Sequence, residues 1–322
     1  MDTQIQKQII NKNLDFILIK FPIIFPLIYG VILFTFPQYE NILIFTTLLL
    51  LAEPHFAATW PFFLNKSNLE EIKNSRIQYI YGPITLVIFC FLGFFYMNYI
   101  FLFIFFALNI FHVTRQSVGI CKLYKSSENE VNYQEYIIYI FNFLFFVIGI
   151  CRFYIPIINE GNIFIINISI LLLLVITFSI YLLMFKNIES LLTLITGVII
   201  FLPICFVDKP IHAIVMGVTM HYTQYLALTY KISSRRKLEK TLTANGKFNY
   251  FGIKNYSFIL IVMIYGIFMA LLSAGSSSSN ELFKSLLVIP ITGQILHFYL
   301  DAYLWKFSIK HNREVTLKHI YS

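Results

Sequence analysis

Charge is what this chain has least of. Lys, Arg, Asp and Glu supply 12% of its 322 residues, about half the share of an ordinary soluble domain. That scarcity excludes a soluble enzyme, a disordered chain and a nucleic-acid-binding domain, although the formal net charge is +8. Cysteine is also sparse. Cys90, Cys121, Cys151 and Cys205 are scattered through apolar stretches without a CxxC pair, which fits neither a disulfide framework nor a zinc knuckle. No small-x-small cleavage site follows the first apolar run near Asp15, so the first span is expected to be retained as a signal anchor. Internal repeats are missing too, and an inverted-repeat transporter gains no support.

What remains is apolar and aromatic. Hydrophobic residues make up 58% and aromatic residues 18%, and the mean hydropathy is +0.74. Phe (35) and Tyr (21) together outnumber all charged residues, 24 basic and 16 acidic. A bilayer core of about 30 Å needs about 20 apolar residues per helix. That ruler gives ten candidate spans: 16–36, 41–64, 78–97, 99–120, 135–157, 163–185, 189–207, 210–230, 256–274 and 281–307. Some are separated by very short polar breaks, so eight or nine is the lower count. The expectation is an all-α integral membrane protein, a single polytopic domain over residues 1–322, with a histidine-lined site inside the bundle. A spanning barrel would instead show short alternating segments.

Basic residues give the chain a direction. With both termini in the cytoplasm, all 24 Lys and Arg except Arg152, Lys209 and Lys284 fall on inner segments or inner span ends, as the positive-inside bias requires. The expected location is a bacterial inner membrane. The 231–254 loop with Arg235, Arg236 and Lys237 then reads as a contact for anionic lipid headgroups, and the Gly275–Asn280 stretch as a flexible outer loop. Trp60 and Trp305 fall near inner span ends, where aromatic belts form.

Ionisable groups at membrane depth mark functional sites. His55, His112, His212, His221 and His297 lie in spans; His311 and His319 lie in the basic tail and are expected to be solvated. Counted from the outer ends of their spans, His55, His112, His221 and His297 share a layer roughly 8 Å thick in the inner half of the bilayer. His212 sits at the outer end of its span, about 13 Å from His221 along the helix, and reads as an outer-surface residue. Residues one turn away face the same side: Thr59 for His55, Arg115 and Gln116 for His112, Gln224 and Tyr225 for His221, Gln294 and Asp301 for His297. Asp301 reads as a further ligand or as the acceptor for a histidine's other ring N–H. Glu53 is about 200° around the helix from His55 and would join the site only through a distortion at Pro54.

Imidazoles suit iron, copper and zinc, and an added carboxylate leans toward non-haem iron with open positions for dioxygen. Two bis-histidine haems are one rival; a proton-coupled transporter with intramembrane His and Asp is another. The HxxxH and HxxHH boxes of desaturases and hydroxylases are absent.

Several segments resemble the membrane-integral β-carotene dioxygenases of the bacteriorhodopsin-related-protein type. Pro54-His55-Phe56-Ala57-Ala58-Thr59 is similar to that family's Pro-His-Gly-Ala-x-Asp, and Phe111-His112 to its second histidine site. Pro210 followed by His221-Tyr222-Thr223-Gln224-Tyr225 resembles its late His-x-x-x-His. Phe56 replaces Gly, Thr59 replaces Asp, and Tyr225 replaces the second His, with His297 as a stand-in for the lost ligand. The resemblance implies a non-haem iron enzyme acting with dioxygen on a carotenoid. The combined expectation is a membrane oxygenase oxidising a carotenoid-like or acyl substrate, with one or two iron ions on His55, His112, His221, His297 and Asp301. Gln224, Arg115 and Tyr225, with Gln116, would orient dioxygen, water or substrate. Its partners would be the lipid bilayer, the hydrophobic substrate and an electron donor. The rival readings are a haem-binding electron-transfer or haem-modifying protein and a proton-coupled transporter.

Overall fold

The computed structural model describes residues 8–64, 66–125, 127–155, 157–158, 160–243, 255–274 and 284–321. Among them every regular element is helical. Six helices are long and apolar enough to cross a membrane: Pro37–Phe63, Ile77–Tyr96, Asn98–Leu123, Glu128–Tyr154, Gly161–Phe185 and Ser257–Ala274. A seventh is reached if Lys12–Lys20 and Ile24–Thr35, bent by 53°, form one span.

Ten spans are therefore not what the fold supports, and each shortfall has a local cause. Pro22 lies at the bend in the first span, where its ring and missing N–H interrupt the helical ladder. The expected seventh span is helical only over Ile188–Ile199 and passes into a 3₁₀ turn at Leu202–Cys205 that carries Pro203. The expected eighth belongs to the helix Pro210–Thr243, whose mean hydropathy is lowered by His212, His221, Gln224 and a polar C-terminal half. The expected tenth is a regular helix only over Val288–Leu304, 17 residues where about 20 are needed. Of the 231–254 loop, residues to Thr243 are helical, whereas 244–254 and the outer 275–280 stretch lie outside the described residues.

The chain groups into two compact units. One comprises residues 1–11, 45–109 and 225–322. Its core is the packing of Glu53–Phe63 against Asn255–Ala274 and Val288–Leu304. Small residues allow that approach, as in membrane helix pairs generally. A Cβ on Gly266 would stand 3.0 Å from the Pro54 ring, and Ala57 and Ala58 pack with Tyr225, Phe258 and Val262. Arg235 and Arg236, expected to face lipid, turn inward instead. Arg235 donates to the carbonyls of His319, Ile320 and Ile9, and Arg236 to Val315 O (2.8 Å) and Thr316 Oγ1 (2.7 Å). Of the tail histidines, His319 is buried, and the half-buried His311 pairs through Nε2 with Asn68 Oδ1 at 2.9 Å. Trp305 stacks on Phe62, with centroids 5.5 Å apart.

The other unit comprises residues 12–44 and 110–224. Its polar side chains tie up backbone groups that apolar surroundings would leave unpaired. Asn142 Nδ2 donates to Thr114 Oγ1 and Gly197 O. Arg152 donates to the carbonyls of Ile204 and Val207 and pairs with Asp208 at 3.2 Å. Lys209 pairs with Glu40 at 2.6 Å. Arg152 and Lys209, which broke the charge pattern, thus have structural partners. The four cysteines are free thiols.

Candidate metal centre

The first link is local backbone. Leu48–Ala52 is a π-helical turn that ends where Glu53–Phe63 begins. Pro54 has no N–H to offer and would clash with the carbonyl four residues back in a regular helix; the wide turn accommodates it. π turns of this kind recur at functional sites. From there His55 and Thr59 follow one turn apart on a helix in which nearly every residue is buried.

Val288–Leu304 brings His297 and Asp301 against that helix. The His55 and His297 rings meet edge to face with centroids 4.4 Å apart. Tyr225 closes the group, with its ring 4.7 Å from His55 and 5.2 Å from His297. One turn beyond the imidazoles is a layer of oxygen groups. Thr59 Oγ1 stands 2.6 Å from His297 Nδ1, 2.7 Å from Tyr225 Oη and 3.2 Å from Asp301 Oδ1. Tyr225 donates to Asp301 Oδ1 at 2.8 Å, and Asp301 Oδ2 lies 3.7 Å from His297 Nε2. All five side chains are buried. Phe56 and Phe298 wall this layer, Phe56 at 5.2 Å and Phe298 at 5.8 Å from the His297 ring.

His112 and His221 form a second edge-to-face pair, with centroids 5.4 Å apart, and both are buried. Each unit thus brings two buried imidazoles into ring contact, His55 with His297 in one and His112 with His221 in the other. Paired imidazoles are metal donors. No thiol belongs to the set, so the donors are imidazole nitrogens, which suit iron, copper, zinc and nickel.

The remaining candidates are placed elsewhere. Gln224 donates to the Ile19 carbonyl at 2.6 Å and holds the end of the π turn Phe16–Lys20, whose Lys20 carbonyl is taken by Thr196 at 2.8 Å. Arg115 is exposed, with its guanidinium 5.8 Å from the Phe111 ring. Gln116 is half-buried. Glu53 is buried, but its Oε1 accepts from Gln294 at 3.4 Å and it is outside the histidine group. His212 is not an outer-surface residue: it is 1% exposed, with Nδ1 2.7 Å from Tyr29 Oη and Nε2 3.4 Å from Glu40.

Thr59 is the residue that sequence reasoning passed over, seen there only as a neighbour of His55 and a departure from a motif. The signal was the four-residue spacing shared by His55 and Thr59, His221 and Tyr225, and His297 and Asp301, which puts a polar partner one turn from each ring. Compared with protein-family models, curated proteins and solved structures, the chain matches none.

Proposed function

We propose that this chain is a membrane-integral, non-haem iron oxygenase in which the paired histidines, His55 with His297 and His112 with His221, hold one or two iron ions. The meeting of buried imidazoles in pairs, with Asp301 beside His297, is the observation that carries this reading. Burying polar rings costs free energy unless they are satisfied, and a bound cation satisfies a pair in one step. A single interhelical hydrogen bond in a membrane protein contributes only about 0.6 kcal/mol, too little to account for burying four such rings.

The same pairing argues against the haem alternative. A bis-histidine haem keeps a porphyrin plane between its two axial rings, and rings in edge-to-face contact with centroids 4.4 and 5.4 Å apart leave no space for one. Bound iron would supply dioxygen chemistry. The chain's own contributions are distinct from that. The imidazoles bind; Thr59, Tyr225 and Asp301 hold the His297 ring in place through buried hydrogen bonds; Phe56 and Phe298 present an apolar wall that excludes water and suits a carotenoid-like or acyl substrate arriving from the bilayer. Asp301 Oδ2, facing His297 Nε2, is the position from which a fifth ligand would come.

The decisive experiment is metal analysis of the purified protein in detergent, wild type beside His221→Ala and His212→Ala. Stoichiometric iron in the wild type and in His212→Ala, and its loss in His221→Ala, is the expected result. A wild type without a stoichiometric transition metal overturns the proposal, and a Soret band would assign the histidines to haem instead.

A further inference from the structure

We infer that Thr59 is a positioning residue whose hydroxyl fixes which nitrogen of His297 is available to a ligand. The inference rests on the metal-site reading for its purpose, but its geometry stands alone. Three contacts decide it: His297 Nδ1 to Thr59 Oγ1 at 2.6 Å, Thr59 Oγ1 to Tyr225 Oη at 2.7 Å, and Tyr225 Oη to Asp301 Oδ1 at 2.8 Å. Contacts this short between polar atoms each require one hydrogen between them.

With Asp301 as a carboxylate, counting hydrogens leaves one state for the ring. A carboxylate accepts only, so the Tyr225 O–H must point at it. The phenolic oxygen is then free to accept, and the Thr59 O–H fills the middle contact. Thr59 Oγ1 also lies 3.2 Å from Asp301 Oδ1, but whether its hydrogen goes there or to Tyr225, its oxygen is left to accept from His297. With its only hydrogen spent, the Thr59 oxygen must accept from the ring, which places the proton of His297 on Nδ1. If Thr59 turned its hydrogen toward His297, the two hydroxyl oxygens would face each other at 2.7 Å with nothing between them. The carboxylate is thus the sink of a chain of donors that begins at the imidazole. The result is a lone pair on Nε2, the nitrogen that faces Asp301 Oδ2. Second partners of this kind set tautomer and ring orientation in metal sites.

Thr59 suits the task because its helix buries it completely and its β-branched side chain has few rotamers in a helix. Valine has the same shape without the hydroxyl, and serine keeps the hydroxyl without the methyl, so the two variants separate hydrogen bonding from packing.

The test is nitrogen NMR of isotope-labelled histidine in the metal-free protein, with His297→Asn identifying the signal. Wild type and Thr59→Ser should show His297 protonated at Nδ1, and Thr59→Val should lose that form. Ferrous-iron affinity should fall about 10–100-fold in Thr59→Val and recover in Thr59→Ser. A wild-type His297 protonated at Nε2, or a Thr59→Val spectrum identical to wild type, overturns the inference. If the tautomers behave as assigned and no variant binds iron, the positioning role stands and the metal reading falls.

Discussion

Gly217→Ala is the substitution whose effect the structure makes most definite. In an open helix interior, replacing glycine by alanine stabilises by about 1 kcal/mol. At Gly217 the sign reverses. A Cβ there would stand 1.8 Å from the carbonyl oxygen of Ile200, 2.9 Å from its carbon and 3.3 Å from Pro203 Cδ. An ordinary contact begins near 3.4 Å, so the shortfall is about 1.6 Å, and the obstacle is backbone that cannot rotate aside. Overpacking costs typically 1–3 kcal/mol and occasionally more; a shortfall this large against backbone belongs at the top of that range, and with the propensity gain deducted the variant should lose about 2 kcal/mol. The consequence reaches the site, because Gly217 lies one turn before His221 on the same helix. A displaced helix carries that ring away from His112 and weakens metal binding. Denaturant unfolding in mild detergent, analysed by linear extrapolation, measures the loss. Gly119→Ala is the control: nothing lies within 4 Å of a Cβ there, and it should gain up to about 1 kcal/mol. A Gly217→Ala protein as stable as wild type would refute the reasoning.

Gln224→Leu should destabilise by about 1–3 kcal/mol by orphaning the Ile19 carbonyl, while iron stoichiometry in the folded fraction stays at the wild-type value; loss of iron at unchanged stability would instead put Gln224 at the centre. Arg235→Ala removes donors from three backbone carbonyls and should cost about 2–4 kcal/mol, read as faster protease cleavage of the 310–321 segment. Iron binding should weaken as the medium is made strongly acid, because a protonated imidazole has no lone pair to give and burial resists that protonation; equilibrium dialysis over a pH series follows it, and binding that strengthens on acidification would refute imidazole ligation.

The histidine pairs were legible because depth along a helix is a one-dimensional quantity. Residue count multiplied by rise gives height, and it picked out His55 with His297 and His112 with His221, the rings that meet within each unit. The same arithmetic set His212 apart, nine residues from His221, and its partners are Tyr29 and Glu40. Azimuth is what the count does not contain. It decided that Gln224 reaches the Ile19 carbonyl and that Arg115 faces outward, although both lie within a turn of a site histidine. The number of spans was overread for a related reason: a hydropathy window registers apolar residues equally in a spanning helix, a bent pair around Pro22 or a 3₁₀ turn around Pro203. The inward turn of Arg235 and Arg236 depends on backbone carbonyls more than 75 residues away in sequence, and no local pattern announces such partners.

The wide turn at Leu48–Ala52 holds one residue more than an α-helical turn would, because its rings close five residues back instead of four. That surplus is the slack in which Pro54 sits clear of the carbonyl behind it. Deleting one leucine from the run would tighten the turn to an ordinary helix, leave the direction of His55 nearly unchanged and press the Pro54 ring onto that carbonyl. Length rather than hydrophobicity is therefore what this stretch must keep.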